Sequence, residues 1–311
     1  MKKPFKILLA TDYSEAAKNA ERYAIHFALQ TGSFLEILHV YQAPYRFESV
    51  PAVFDLEKIE FHPAELELRK LKEHIDKLLD LLRVAPAELK YECLVREGNA
   101  TKQICEEGKE MAYDFVIVGS HGAGGFKQFL LGDHTWDIMK NAEIPVLSIP
   151  KNAFFSGIKN MVYLTEYRDT EIASINFLTR FAASFNAEVI VLHMLSNGVS
   201  SEYEREVAIP FLKNLKNRTL YPNLTIRNVH YEDMIEGLNE FCVKVKADWL
   251  VSSIEKTSFL ERIFSISPST LTKKMALYTH TPFLILHDSF KKEAEVKHMA
   301  QTISIEDLAI N

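Results

Sequence analysis

The sequence predicts an α/β protein made of two tandem doubly wound, Rossmann-like domains, each with a five-stranded parallel sheet. Three observations predict it. Short runs rich in Val, Ile and Leu alternate with longer helical patterns along the chain. Those runs are continuously apolar, as strands covered on both faces of a parallel sheet must be. The chain also overlays itself: shifted by 154 positions, Thr11-Asp12 falls on Thr165-Glu166, Phe27-Ala28 on Phe181-Ala182, and Leu38-His39-Val40 on Leu192-His193-Met194. Later the offset shrinks, with Asp114 to Ile117 falling on Asp248 to Val251 and Pro145 on Pro282. A period of about 150 residues marks duplicated domains, because solenoid repeats are only roughly 20–50 residues long.

Each element follows in order. In the first copy, strands are expected at 6–10, 34–40, 91–95, 115–118 and 146–149, and helices at 14–30, 65–84, 100–111 and 135–140. Ser14 and Glu15 open the first helix as a capping residue and an acid, and Gly32 closes it. The second helix carries a stripe that includes Leu71, Ile75, Leu78 and Leu79, suited to packing on the sheet. The stretch 150–159 is the expected seam. Second-copy strands are expected at 161–164, 188–192, 225–230, 249–251 and 283–286. The domains are therefore 1–150 and 151–290, with a tail at 291–311. The copies are expected to pack about a pseudo-twofold axis, with their last strands in the contact. The insertion 43–63, aromatic and punctuated by proline, has no counterpart in the second copy and reads as an ordered packing loop. The tail reads as a loose terminal helix or a disordered end.

Composition narrows the function. With 311 residues, 47% hydrophobic and 25% charged, the chain has an ordinary globular balance. A net charge of −6 and a pI near 6.0 argue against broad attraction to nucleic acid or anionic membrane. No run approaches the roughly 20 apolar residues of a membrane span, and no signal-peptide pattern opens the chain. A cytoplasmic location is expected, with neither nucleic acid nor membrane as partner. Cys93, Cys105 and Cys242 have unrelated spacings and read as buried thiols. His39 and His193 recur at matching strand ends, but no further ligand completes a metal site there. They read as packed strand-end histidines.

One motif carries chemistry. The apolar run Phe115 to Val118 stops at Gly119-Ser120-His121-Gly122, and Gly132 follows nine residues later, ahead of an amphipathic segment. A buried strand, a glycine-rich turn and a helix N-terminus together gather backbone N–H groups around a phosphate. On the residues alone, the alternative is structural: the glycines shape a tight turn and Asp12 caps the first helix.

These glycines match the G-x2-G-x9-G-[S/T] signature of universal stress proteins, and their surroundings resemble that family too. Ile7 to Ala10 with Thr11-Asp12 is similar to its opening strand and acid, Leu38-His39-Val40 to the end of its second strand, and Ile144-Pro145-Val146-Leu147 to its last strand. The resemblance covers residues 4–150 well and 159–287 more loosely. It implies an adenine nucleotide alpha hydrolase-like fold, a stress-response or regulatory role, and no committed catalysis. It further implies ATP or AMP, with magnesium, in the first domain. Thr11 and Asp12 would meet the base or ribose, and Val40 would offer main-chain groups to the base edge. Val118, Gly119, His121, Gly122, Gly132 and the N–H groups of Asp133 and His134 would line or cradle the phosphates. An intramolecular pseudo-dimer is implied, with room for a further homodimer.

The signature breaks at Asp133, where the family has Ser or Thr. An ionised Asp accepts hydrogen bonds but donates none. About 4 Å from a phosphate oxygen, at an effective dielectric near 20, its repulsion is on the order of 4 kcal/mol per charge pair. In the second copy, Ser253 and Lys256 stand where Gly119 and Gly122 do, Glu166 replaces Asp12, and no glycine follows Gly237. No nucleotide is expected there, and the segment 265–270 reads as a plain helix N-terminus. Two other classes stay open. One is a nucleotide-free interaction scaffold using the insertion 43–63. The other is a slow ATP-hydrolysing or adenylate-transferring enzyme, for which no positioned lysine or paired acids stand near the loop.

Overall fold

A computed structural model describes residues 4–42, 62–110, 113–120, 133–196, 201–231, 234–254 and 281–287. Most of the insertion, the loop 121–132, the segment 255–280 and the tail lie outside the described residues, and with them His121, Gly122, Gly132 and Lys256.

The N-terminal half runs β1 (Lys6–Thr11), α1 (Glu15–Thr31), β2 (Phe34–Tyr41), α2 (Pro63–Leu82), β3 (Lys90–Glu97), α3 (Ala100–Glu110), β4 (Phe115–Gly119), α4 (Asp133–Asn141) and β5 (Val146–Ile149). The C-terminal half runs β6 (Asn160–Leu164), α5 (Glu171–Ala183), β7 (Glu188–Ser196), α6 (Ser201–Arg218), β8 (Leu224–Tyr231), α7 (Met234–Lys244), β9 (Trp249–Ile254) and β10 (Phe283–His287). Every expected strand is present, and most run a residue or more further than their apolar core, because ladder pairing continues past it. The end signals of α1 act as read. Ser14 Oγ accepts the Ala17 N–H at 3.2 Å, and Gly32, at φ 68°, donates its N–H to Ala28 O.

The ten strands form one sheet in the order β3-β2-β1-β4-β5-β10-β9-β6-β7-β8. Strands within each half are parallel, while β5 and β10 are antiparallel. The expected five-stranded sheets are therefore joined edge to edge, and each covers an open row of N–H and C=O groups on the other. The ladder between them has twofold symmetry. Leu147 pairs with its own counterpart Leu284, and the flanking pairs Val146–Ile285 and Ser148–Phe283 exchange under the same operation. A residue meeting its own counterpart marks the axis.

The packing obeys that axis. On one face, α1, α2, α5 and α6 share a core continuous across both halves, and α3, α4 and α7 share one on the other. Near the axis Phe27 stacks on its counterpart Phe181 at 6.3 Å, and Phe115 meets its counterpart Trp249 at 6.1 Å. The cross pairs Phe27–Trp249 and Phe115–Phe181 stand at 6.2 and 5.9 Å. Each such ring, fully buried, contributes on the order of 2–3 kcal/mol. One bond breaks the symmetry: Trp249 Nε1 donates to Tyr23 Oη at 2.7 Å, whereas the counterpart pair is the apolar Phe115 and Phe177. The seam is clamped by Asn19, whose side-chain amide donates to the carbonyls of Pro150 and Ala153, both at 2.8 Å.

Candidate functional site

From β1 the chain winds outward through β2 and β3, then returns to place β4 on the other side of β1. The strand order thus reverses between β1 and β4, where open α/β sheets bind ligands at their carboxyl ends. Thr11 and Asp12 at the end of β1, and Val118 and Gly119 at the end of β4, come together there. Val40 stands beside them, because β2 pairs with β1 only as far as His39 and continues along β3 to Tyr41. Since β5 and β10 are antiparallel, this crevice and its C-terminal counterpart open at opposite edges of the sheet.

Asp12 is exposed, and its Oδ1 accepts the Ser14 N–H at 3.0 Å. The helix cap is Ser14 rather than Asp12, which instead steadies the capping residue. Gly119 is also not a turn residue. It ends β4, and a Cβ built on it would lie 2.7–2.8 Å from backbone atoms of Ala16 and Ala17. Glycine is required there because the first turn of α1 presses on the strand end. Thr135 Oγ1 donates to Gly119 O at 3.0 Å and ties the first turn of α4 to the same strand end. Asp133 and His134 are the first residues of α4, whose N-terminus carries the positive end of the helix dipole.

Beneath the crevice lies a polar cluster that the sequence reading missed. Thr11 Oγ1 donates to Glu21 Oε1 at 2.5 Å, and the other oxygen of this fully buried carboxylate takes His74 Nε2 of α2 at 2.8 Å. His39 Nδ1 donates to Thr11 O at 2.9 Å, as a packed strand-end histidine. Tyr13, at φ 61°, accepts that strained turn with its ring 4.4 Å from His39 and 5.0 Å from His74. Its buried hydroxyl has no hydrogen-bond partner among the described residues, and burial holds it well above the usual phenol range. One signal was available: Glu21 interrupts the small-residue face Ala17, Ala20 and Ala24 of an amphipathic helix.

The C-terminal half keeps the turn and changes the acid. Tyr167 repeats the strained φ at 62° and stacks on His193 at 4.2 Å, while His193 Nδ1 donates to Thr165 O at 2.8 Å. Thr165 Oγ1 donates to Glu171 Oε2 at 2.5 Å, and Glu171 also accepts the Glu166 N–H. Glu166, in the place of Asp12, is ion-paired with Arg168. Ser253 carries a side chain at the position of Gly119, and its Oγ lies 3.1 Å from Tyr163 Oη.

Among the described residues, no three His, Cys, Asp or Glu side chains are placed to hold a metal. Burial pushes the Cys93 and Cys105 thiols up to about 11 and Cys242 up to about 12, so none is a ready thiolate. Among the described residues, no helix is long and apolar enough to cross a membrane.

Comparison with known proteins places this geometry. Residues 5–150 match the sequence model of the universal stress protein family. Universal stress protein YxiE of Bacillus subtilis is 28% identical over 149 residues, 46% of this chain and 97% of that protein. A universal stress protein of Methanocaldococcus jannaschii is 27% identical over 153 residues, 47% of this chain and 94% of its own. The crystal structure of a universal stress protein from Archaeoglobus fulgidus covers 91% of this chain and 98% of its own, with a TM-score of 0.61 at 13% identity. That likeness concerns the fold, and it extends over both halves.

Proposed function

We propose that this chain is a universal stress protein, a reading that the match of residues 5–150 to that family supports, and that it is a binding protein of stress response or regulation that takes one ATP or AMP in its N-terminal half. The observation that carries this reading is the meeting of the exposed Asp12, the end of β2 at Val40, the close-packed Gly119 and the N-terminus of α4 at one strand-order reversal. Asp12 suits the base or ribose, and the amides that open α4 suit phosphate. Magnesium would accompany ATP by screening its phosphates beside Asp133. We assign the C-terminal half, as a degenerate copy, no nucleotide. There Arg168 already neutralises Glu166, and Ser253 carries a side chain where Gly119 carries none. We assign no reaction to either half and place the protein in the cytoplasm.

The test is direct. Protein purified without added nucleotide is heat-denatured and the supernatant analysed for adenine nucleotides. Calorimetric titration with ATP and AMP then counts sites. One site per chain, lost on replacing Asp12 with Ala, is the expected result. Two equivalent sites per chain, or no binding of either nucleotide, would overturn the reading.

A further inference from the structure

Where the pseudo-twofold axis leaves the aromatic cluster, a cleft of about 400 Å³ opens between the carboxyl ends of α1 and α5, under the chain segment that joins the halves. Its lining contains three pairs of repeat counterparts: Phe5 and Lys159, Gln30 and Ser184, Thr31 and Phe185. The cleft therefore sits on the axis and is built by both halves. Duplication followed by divergence has made it asymmetric, so that a phenyl ring from one half answers an ammonium group from the other.

Its floor is aromatic. Phe5 lies 4.7 Å from Phe181, and Phe185 lies 5.3 Å from the same ring. Both outer rings are half-buried, so the cluster ends in apolar surface that a ligand could cover. The rim is polar. The Lys159 ammonium, the Gln30 amide and the Ser156 hydroxyl have no hydrogen-bond or ion-pair partner among the described residues. The helix-end carbonyls, in contrast, are occupied. Ala28 O takes the N–H groups of Gly32 and Ser33, and Ala182 O takes those of Phe185 and Ala187. Gly157, at φ 107°, bends the connecting segment around the opening, a conformation that glycine adopts freely. The cleft thus combines two half-buried rings with exposed polar side chains at its rim, lies where the halves meet, and has a volume within the roughly 300–1,000 Å³ of small-molecule sites.

We propose that this cleft binds a small planar aromatic carboxylate. A ring laid on Phe5 and Phe185 extends the existing edge and stacking contacts. Lys159 supplies the positive charge for the carboxylate, with Gln30 and Ser156 as donors at its sides. The site is independent of the nucleotide crevice, which opens at the carboxyl ends of the strands.

The probes are 2-naphthoate and its neutral analogue 2-naphthalenemethanol, titrated into the full-length protein by calorimetry. The expected result is one saturable naphthoate site per chain, with a Kd of about a millimolar or tighter. Lys159→Met should weaken naphthoate about fivefold or more and leave the alcohol within about twofold. Ser184→Phe, which fills the cleft from the end of α5, should abolish both. Independently of the fold of that variant, ring-to-ring NMR contacts between bound naphthoate and Phe5 or Phe185 in the parent protein give a second reading. The proposal is overturned by the absence of saturable binding, by equal effects of Lys159→Met on both probes, or by bound naphthoate that makes no contact with either ring.

Discussion

The turn after β1 and the turn after β6 share a backbone and differ in what holds them. Both place Thr, then an acid, then a tyrosine at φ near 60°, packed on a histidine that grips the threonine carbonyl. Yet the carboxylate that receives the threonine hydroxyl comes from Glu21 in one half and Glu171 in the other, and these are not repeat counterparts. Position 21 corresponds to Ile175 and position 171 to Ala17. The need for a buried acceptor under the turn has outlived the residue that met it. α5 starts two residues later than α1 does in repeat register, and Ser253 stands where the first turn of α1 presses on Gly119. One half keeps a tight contact between strand end and helix start beside an exposed acid. The other carries Ser253 at that strand position and pairs its acid, Glu166, with Arg168.

The comparison breaks most sharply at Gly119. Gly119→Ser, which installs the C-terminal half's residue, places a Cβ inside van der Waals contact of α1 backbone and should cost about 3 kcal/mol or more. Ser253→Gly should cost only about 1 kcal/mol, from one hydrogen bond and added chain freedom. Urea unfolding of the two variants checks the asymmetry, and equal losses would deny it.

Glu171 gives the next effect. Burial pushes its carboxyl up to about 7, with the Glu166 charge adding to this and the hydrogen bonds from Thr165 and the Glu166 N–H opposing it. Because the folded-state value is raised, the folded protein binds more protons between about pH 4.5 and 7, and stability falls as pH rises through that window. The loss should be on the order of 2–3 kcal/mol. Glu171→Gln should flatten that slope and stabilise the protein at pH 8. An unchanged slope would show that Glu171 is not the group responsible.

Asp133 sharpens the functional side. Asp133→Ser restores a neutral donor and removes a negative charge at the start of α4, so ATP should bind about tenfold more tightly, with a smaller gain for AMP. Should the substitution weaken ATP only when magnesium is present, Asp133 is holding the metal instead. The smallest effect concerns Tyr13. The hydroxyl of its counterpart Tyr167 donates to Asn228 Oδ1, but the position equivalent to Asn228 on β3 is Val95, which offers no acceptor. Val95→Asn should therefore stabilise the N-terminal half by about 1 kcal/mol, read as a shift in the urea midpoint.

Much of this molecule was legible in one dimension. Strand positions, the cap at Ser14 and the stop at Gly32 all rest on local pattern, because burial on two faces and helix ends impose residue types within a few positions. The strand ends that bring Thr11, Asp12, Val40 and Gly119 together followed from the same pattern. What the tertiary structure decided depends on approach between distant segments. The sequence marks Gly119 as a glycine, but only the descent of α1 onto β4 explains why. Nothing local pairs Glu21 with His74, which lie 53 residues apart, and nothing local joins two five-stranded sheets into one of ten. That joining comes from the self-complementary edges of β5 and β10, where Leu147 meets its own repeat in Leu284. Local sequence selects an element from its own solvent exposure and backbone preference. Which elements touch is settled by the long-range packing of apolar faces and unpaired edges, and that cannot be read from any window of the chain.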